Sequence, residues 1–205
     1  MIITGIIPAR FASTRFPGKP LIIIAGKTMI QRVYEQAFKS KLLSQVIVAT
    51  DSKEIFDNVN SFGGNVVMTS KKHKTGTDRI CEVVRKIKTD IIVNIQGDEP
   101  FINPMDIDNA IKPLLKDNTL NVSTLAVELK KDFHNVNKVK VVLDKNNNAL
   151  LFSRTLIPDN FKSIAKFFVF PFLQYLIQLI RNITSVFDTF NESFVNIRSD
   201  FKLFR

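Results

Sequence analysis

Residues 2–21 read IITGIIPARFASTRFPGKPL. An apolar run at 2–7 breaks at Pro8 into a loop that carries Arg10, Arg15 and Lys19. A buried strand that delivers three cations within ten residues, before any helix begins, is a layout for holding phosphate. Ionised donors make hydrogen bonds to phosphate oxygens roughly twice as strong as neutral ones. The loop also falls where open α/β sheets bind ligands, beyond the carboxyl end of a strand.

Elimination narrows the type of loop. A dinucleotide fingerprint needs three glycines in G-x-G-x-x-G, and this loop has only Gly18. A G-x-x-x-x-G-K-[ST] cradle fails as well, because Ser13 stands at the first glycine and Pro20 follows Gly18-Lys19. What remains is a loop that grips phosphate with side-chain cations, or a basic surface loop that is merely solvated.

Working outward, apolar runs at 46–49, 66–68 and 91–95 read as further buried parallel strands. Between the strands, residues 28–40 place Met29, Val33 and Ala37 at helical spacing. Thr77 is positioned to cap a helix whose stripe is Ile80, Val83, Val84 and Ile87. Pro104 opens a helix that ends near Lys116. Strand–helix alternation of this kind predicts an α/β fold with a doubly wound, mostly parallel sheet. After Asn121 the pattern turns to strands at 122–127, 139–143 and 150–152, with 145–148 as a hairpin turn, which predicts a β-rich appendage.

Composition bounds the function. The 205 residues suit one domain with a small addition, and 45% hydrophobic content is ample for a core. A single cysteine, Cys81, excludes a disulfide framework and fits a reducing compartment. No basic stretch precedes the first apolar run, so no signal peptide is expected and the location read is cytoplasmic. A net charge of +10 suits anionic ligands. No recognition helix, zinc knuckle or aromatic RNA-binding motif accompanies it, which weighs against nucleic acid. His73 and His134 lack metal-ligand spacing and read as ordinary polar residues, and Cys81 reads as a small buried one.

From Phe161 the sequence changes character: ten of the 18 phenylalanines lie there, and no glycine follows Gly97. The apolar stretch at 164–180 is interrupted by Lys166, Pro171, Gln174 and Gln178, so no membrane span is expected. Two regions are therefore expected, 1–160 and a divergent Phe-rich tail at 161–205.

The order and spacing of the motifs carry a resemblance. The N-terminal A-R-x-x-S-T-R-x-P-G-K-P-L is followed by VIVATDSKEI at 46–55, TGTDRI at 75–80 and IIVNIQGDEPFI at 91–102. TLAVEL at 124–129, VKVVLD at 139–144 and ALLFSR at 149–154 complete the series. Together they resemble the 3-deoxy-manno-octulosonate (KDO) cytidylyltransferases, or CMP-KDO synthetases, from about Ile3 to about Pro158. The resemblance implies transfer of CMP from CTP to KDO with release of pyrophosphate, a step of lipopolysaccharide biosynthesis.

It also implies roles. Arg10 and Lys19 match residues that neutralise the triphosphate and count as catalytic, and Arg15 joins them in nucleotide binding. Thr75, Gly76, Thr77 and Arg79 match a stretch beside the base and ribose; the same stretch also reads as a simple helix cap. Gln96 and Gly97 match nucleotide-binding positions. Asp98 matches a catalytic ligand of Mg²⁺, although a Gly-Asp turn without any ligand would look the same in sequence. Glu99 could support it by a hydrogen bond and is given no role of its own. Ser153 and Arg154 match the sugar-acid site.

Beyond 158 the family's H-[IL]-G-I-Y, P-S-P-L-E and G-V-D-T-P-E-D-L segments are not found. These normally supply a second carboxylate ligand, much of the sugar-acid pocket and much of the homodimer contact. A frameshift or other coding disruption is the reading this suggests for the tail. Two other functions stay open: an inactive remnant of the enzyme, and a nucleotidyltransferase for another acidic sugar.

Overall fold

A computed structural model describes residues 1–12, 16–128, 134–155, 166–169 and 179–181. The chain divides into two compact units, residues 1–124 with 177–181, and residues 125–176 with 182–205. The expected boundary at 160/161, and the tail apart from 166–169 and 179–181, lie outside the described residues.

In the first unit, β1 (Ile3–Ala9) is followed by a short 3₁₀ turn at Lys19–Leu21 and a hairpin of β2 (Ile23–Ile24) and β3 (Lys27–Thr28). Then come α1 (Met29–Ala37), β4 (Gln45–Thr50), α2 (Lys53–Ser61), β5 (Val66–Met68), α3 (Gly76–Val84), β6 (Ile91–Asn94) and α4 (Pro104–Lys116). The second unit holds β7 (Val127–Glu128), β8 (Lys140–Leu143), β9 (Ala149–Ser153) and β10 (Lys166–Val169). Residues Leu179–Arg181 form β11, back in the first unit.

The first sheet runs β11-β6-β1-β4-β5. Its β6, β1, β4 and β5 are parallel, and β11 pairs antiparallel with β6. The expected doubly wound sheet is thus present. The chain steps outward from β1 to β4 and β5, then crosses back to lay β6 on the other side of β1. That reversal leaves a crevice at the carboxyl ends of β1 and β6, where sheets of this kind take ligands.

Burial on both faces explains the apolar strands. Ile6, Ile7, Val48, Ala49, Ile91 and Val93 are fully buried. Helices cover them with Ile30 and Val33 of α1, Ile55 and Val59 of α2, Val83 of α3 and Ile107 and Ile111 of α4, all inaccessible to solvent. Buried Asp108 of α4 ties down the turn after α1, accepting from Ser40 Oγ at 2.5 Å and from the Lys41 and Leu42 amides at 3.2 Å.

The first strand extends past the expected break at Pro8, and register explains how. Residues 4, 6 and 8 present their backbone groups toward β6, as the Ile6 carbonyl does in accepting from the Ile95 amide at 2.9 Å. The β1–β6 pairing ends at Ile6 opposite Asn94. Pro8 lies beyond it, so its missing N–H leaves no ladder position empty.

Three further expectations are corrected. The strand expected at 122–127 is reduced to the two residues of β7; Ser123 instead donates its hydroxyl to the Ala110 carbonyl of α4 at 2.5 Å. Thr75, rather than Thr77, caps α3, and Ile87 lies beyond the end of that helix. Helix α2 and the β2–β3 hairpin were not foreseen.

The second unit is an antiparallel sheet in the order β7-β10-β8-β9, the β-rich addition expected. Its β8–β9 turn is the predicted one: Asp144 accepts from the Asn146 and Asn148 amides at 2.8 Å, and Asn147 takes the left-handed conformation at φ 64°. Lys140 is almost wholly buried, and its ammonium donates to the carbonyls of Asn135, Lys138 and Arg154 at 2.7–3.0 Å.

Candidate functional site

The carboxyl end of β1 is the hub of the first unit. Two glycines clear the space around Pro8. A Cβ on Gly97 would stand 3.2 Å from the Pro8 carbonyl oxygen, a backbone atom that cannot turn aside. One on Gly76 would stand 3.2 Å from Pro8 Cγ. The loop after β6 and the start of α3 therefore close on β1 from two directions because neither carries a side chain at the contact.

Helix α3 begins here for a local reason. Thr75 Oγ1 accepts from the Asp78 amide at 3.1 Å, and Asp78 Oδ2 accepts from the Thr75 amide at 3.0 Å. This reciprocal capping box satisfies two of the amides that a helix start leaves unpaired. Thr75→Ala is expected to reduce stability by about 1 kcal/mol, measured by urea unfolding, with Thr75→Ser close to the parent.

Arg10 leaves the end of β1 exposed to solvent, with Nη1 3.4 Å from the Lys74 carbonyl just before this cap. Lys19, at the start of the 3₁₀ turn, reaches the loop after β6 and places Nζ 2.5 Å from Asp98 Oδ2. The side chains of that pair are 36% and 19% exposed, so solvent and ligand can reach it. The structure thus gathers Arg10, Lys19, Thr75, Gly76, Gly97 and Asp98 around the crevice between β1 and β6. Thr77 lies in the first turn of α3, and Gln96 Nε2 lies 3.5 Å from Asn94 Oδ1 at the end of β6. Arg15 lies outside the described residues.

Arg79 is placed differently from the nucleotide contact expected of it. Its guanidinium is turned into the protein, donating to Asp51 Oδ2 at 2.6 Å and to Thr69 Oγ1. With its side chain 3% exposed, Arg79 joins α3 to the ends of β4 and β5. Ser153 and Arg154 belong to the second unit. Ser153 Oγ bonds Thr155 Oγ1 at 2.9 Å, and the Arg154 carbonyl accepts from Lys140 at 2.7 Å.

Sequence reasoning gave no role to Asp51 or Glu82. Glu82 accepts from the Ser70 amide at 2.8 Å and lies 2.6 Å from both His73 Nε2 and Lys86 Nζ, pinning the 70–73 loop to α3. The Lys86 hydrogen bond, then those of Ser70 and His73, hold its carboxyl down at about 2. His73, read as an ordinary polar residue, is thus engaged by Glu82. Cys81 is half-buried and not the fully buried residue expected, and that partial burial pushes its thiol up. The signal for Asp51 was its position directly after β4, at a ligand-binding edge of the sheet.

Glu99 is the unexpected member. It is 7% exposed, and neither carboxyl oxygen has a hydrogen-bond partner among the described residues. Burial, and then the charge of Asp98, push it up to about 8. The donor set at this end of β6, carboxylate oxygens beside a loop of cations, is the kind that a small hard cation such as Mg²⁺ accepts alongside phosphate oxygens.

Comparison with known proteins shows the family. A family model described as cytidylyltransferase matches residues 4–200. A 3-deoxy-manno-octulosonate cytidylyltransferase of Geobacter metallireducens is 54% identical over 161 residues, covering 78% of this chain and 63% of that protein. One from Geotalea daltonii is also 54% identical over 161 residues, covering 78% and 64%. The chain thus spans just under two thirds of the length of these curated relatives. A solved structure of CMP:2-keto-3-deoxy-manno-octonic acid synthetase complexed with CTP superposes with a TM-score of 0.84 at 36% identity, covering 94% of this chain and 78% of that one. Among the described residues no helix is long and apolar enough to cross a membrane. The chain belongs to the cytidylyltransferase family.

Proposed function

We propose that this chain transfers CMP from CTP to KDO, releasing pyrophosphate. The anomeric hydroxyl of the sugar attacks the α-phosphorus; the new O–P bond forms as the bond to the pyrophosphate oxygen breaks, and the hydroxyl proton passes to solvent water. Negative charge grows on the equatorial oxygens and on the departing pyrophosphate. Fixed cations stabilise that charge without having to reorganise.

The observation that carries the reading is the Lys19–Asp98 pair at the β1–β6 crevice, 2.5 Å apart and open to ligand. Lys19 and Arg10 would meet the triphosphate. The bare backbone at Gly76 and Gly97, with the α3 amino end, would receive the rest of the nucleotide. Asp98 would hold Mg²⁺, which supplies charge neutralisation on the phosphates when bound. Arg154 offers a guanidinium suited to a sugar-acid carboxylate, with Ser153 beside it. An enzyme of this activity draws on CTP and so works in the cytoplasm.

The test is pyrophosphate release by the purified full chain with CTP, Mg²⁺ and KDO, run beside other acidic sugars. Release with KDO, and its loss in Asp98→Ala, is the expected result. Release only with another sugar acid would reassign the acceptor. No release from folded protein would overturn the reading and leave an inactive member of the family.

A further inference from the structure

Lys140 is the least expected side chain of the second unit. It is 1% exposed, and its ammonium donates to the carbonyls of Asn135 and Lys138 at 3.0 Å and of Arg154 at 2.7 Å. An ammonium has three donors and no acceptor, so its hydrogen bonding is complete. Its charge is not balanced. Among the described residues no carboxylate forms an ion pair with it. A lysine is almost never fully buried without a paired charge. The charges that bear on it here have its own sign: burial, and then Arg154 and Lys138, push the ammonium down from its ordinary value. A neutral donor could brace the carbonyls in part, but it would not supply positive potential at this edge of the sheet.

The three carbonyls come from two separate stretches. Asn135 and Lys138 lie in the turn that leads into β8, where the Lys138 amide donates to the Asn135 carbonyl at 3.1 Å. Arg154 directly follows β9. Lys140 itself opens β8 and stands opposite Ser153 in the ladder. One side chain therefore ties the entry of β8 to the exit of β9, and fixes the backbone from which the exposed Arg154 extends. The Ser153 hydroxyl is held beside it by Thr155 Oγ1 at 2.9 Å.

We infer that Lys140 is a positioning residue for the acceptor: it holds the Arg154 backbone so that the guanidinium can grip a carboxylate, and its unbalanced charge adds to the attraction for that anion. The inference rests on the proposed function in taking Arg154 as the partner of the sugar acid. A carboxylate keeps its charge through the transfer, so this grip is as strong in the ground state as in the transition state. Its loss then falls on KM for the acceptor and not on kcat.

The test is steady-state pyrophosphate release by the full chain as parent, Lys140→Gln and Lys140→Arg, with a thermal melt of each. KDO is varied at saturating CTP, and CTP at saturating KDO. Lys140→Gln removes the charge and at least one donor. It is expected to raise KM for KDO by at least about tenfold, since a misplacement of ~1 Å can cost as much as ~10²-fold. Its kcat and KM for CTP should stay near the parent's. Lys140→Arg keeps the charge, but a planar fork cannot seat among three carbonyls as an ammonium does. A smaller rise in the same parameter is expected, and this variant is read if the glutamine form loses its cooperative melt. A lower Tm with KM for KDO unmoved would make Lys140 a brace of the sheet, overturning the inference and leaving the proposed function standing. Equal rises in both KM values, or loss of the fold in both variants, would overturn it likewise. No release by the parent with any sugar acid would overturn both.

Discussion

Replacing Arg79 by methionine is expected to destabilise the protein by about 3 kcal/mol, the lower end of what breaking a buried ion pair costs. For a chain of this size that is on the order of 10 °C in Tm. The side chains of Arg79 and Asp51 are 3% and 17% exposed. Methionine fills much of the volume but leaves the Asp51 carboxylate and the Thr69 hydroxyl without their donor. The residual exposure of Asp51 lets water repair part of the loss, which is why the lower end of the range applies. Arg79→Lys is expected to fall between, because one ammonium cannot reproduce a planar fork shared between two acceptors. Urea unfolding checks the order: parent, lysine, methionine. A methionine variant within 1 kcal/mol of the parent would mean that the guanidinium faces a ligand and not the interior.

That expectation shows where sequence reading stops. T-G-T-D-R could be recognised as a helix start near a ligand, because capping chemistry is local and the threonine–aspartate spacing states it. Which way Arg79 turns is set by Asp51 and Thr69, 28 and 10 residues away, and no local pattern contains that. The parallel sheet was legible for the opposite reason: a strand buried on both faces writes itself as a continuous apolar run, as in β1, β4 and β6. Helix α2 was missed even though Ser52 caps it by accepting from the Ile55 amide; its stripe of Ile55 and Val59 is short. Strand β7 was overdrawn because Val122 and Val127 look alike in sequence, but only Val127 finds a partner strand, pairing with Val169 of β10. Glu99 was visible as a letter, and its isolation from every described donor is a property of the folded chain alone.

Lys19→Ala is expected to reverse the pattern of Arg79, leaving stability almost unchanged and removing function. Its ion pair with Asp98 is shorter than that of Arg79 with Asp51, 2.5 against 2.6 Å. Distance alone would therefore rank it as the stronger. Exposure decides otherwise: with side chains 36% and 19% accessible, water and salt screen the pair, and its loss should cost no more than about 1 kcal/mol. Function should suffer far more, because the proposed reaction has this ammonium meet the charge that develops on the transferred phosphoryl group. Removing one such fixed donor typically lowers turnover by ~10²–10³. Steady-state pyrophosphate release over a range of CTP concentrations, beside urea unfolding of the same preparation, reads both quantities. Lys19→Arg retains the charge on a bulkier, planar head and should recover part of the rate. In the double variant with Asp98→Ala the two losses should add to less than their sum, as they do when residues act as a unit. An equal fall in stability and rate would instead make Lys19 a residue of the framework, and the β1 loop a basic surface with no phosphate to hold.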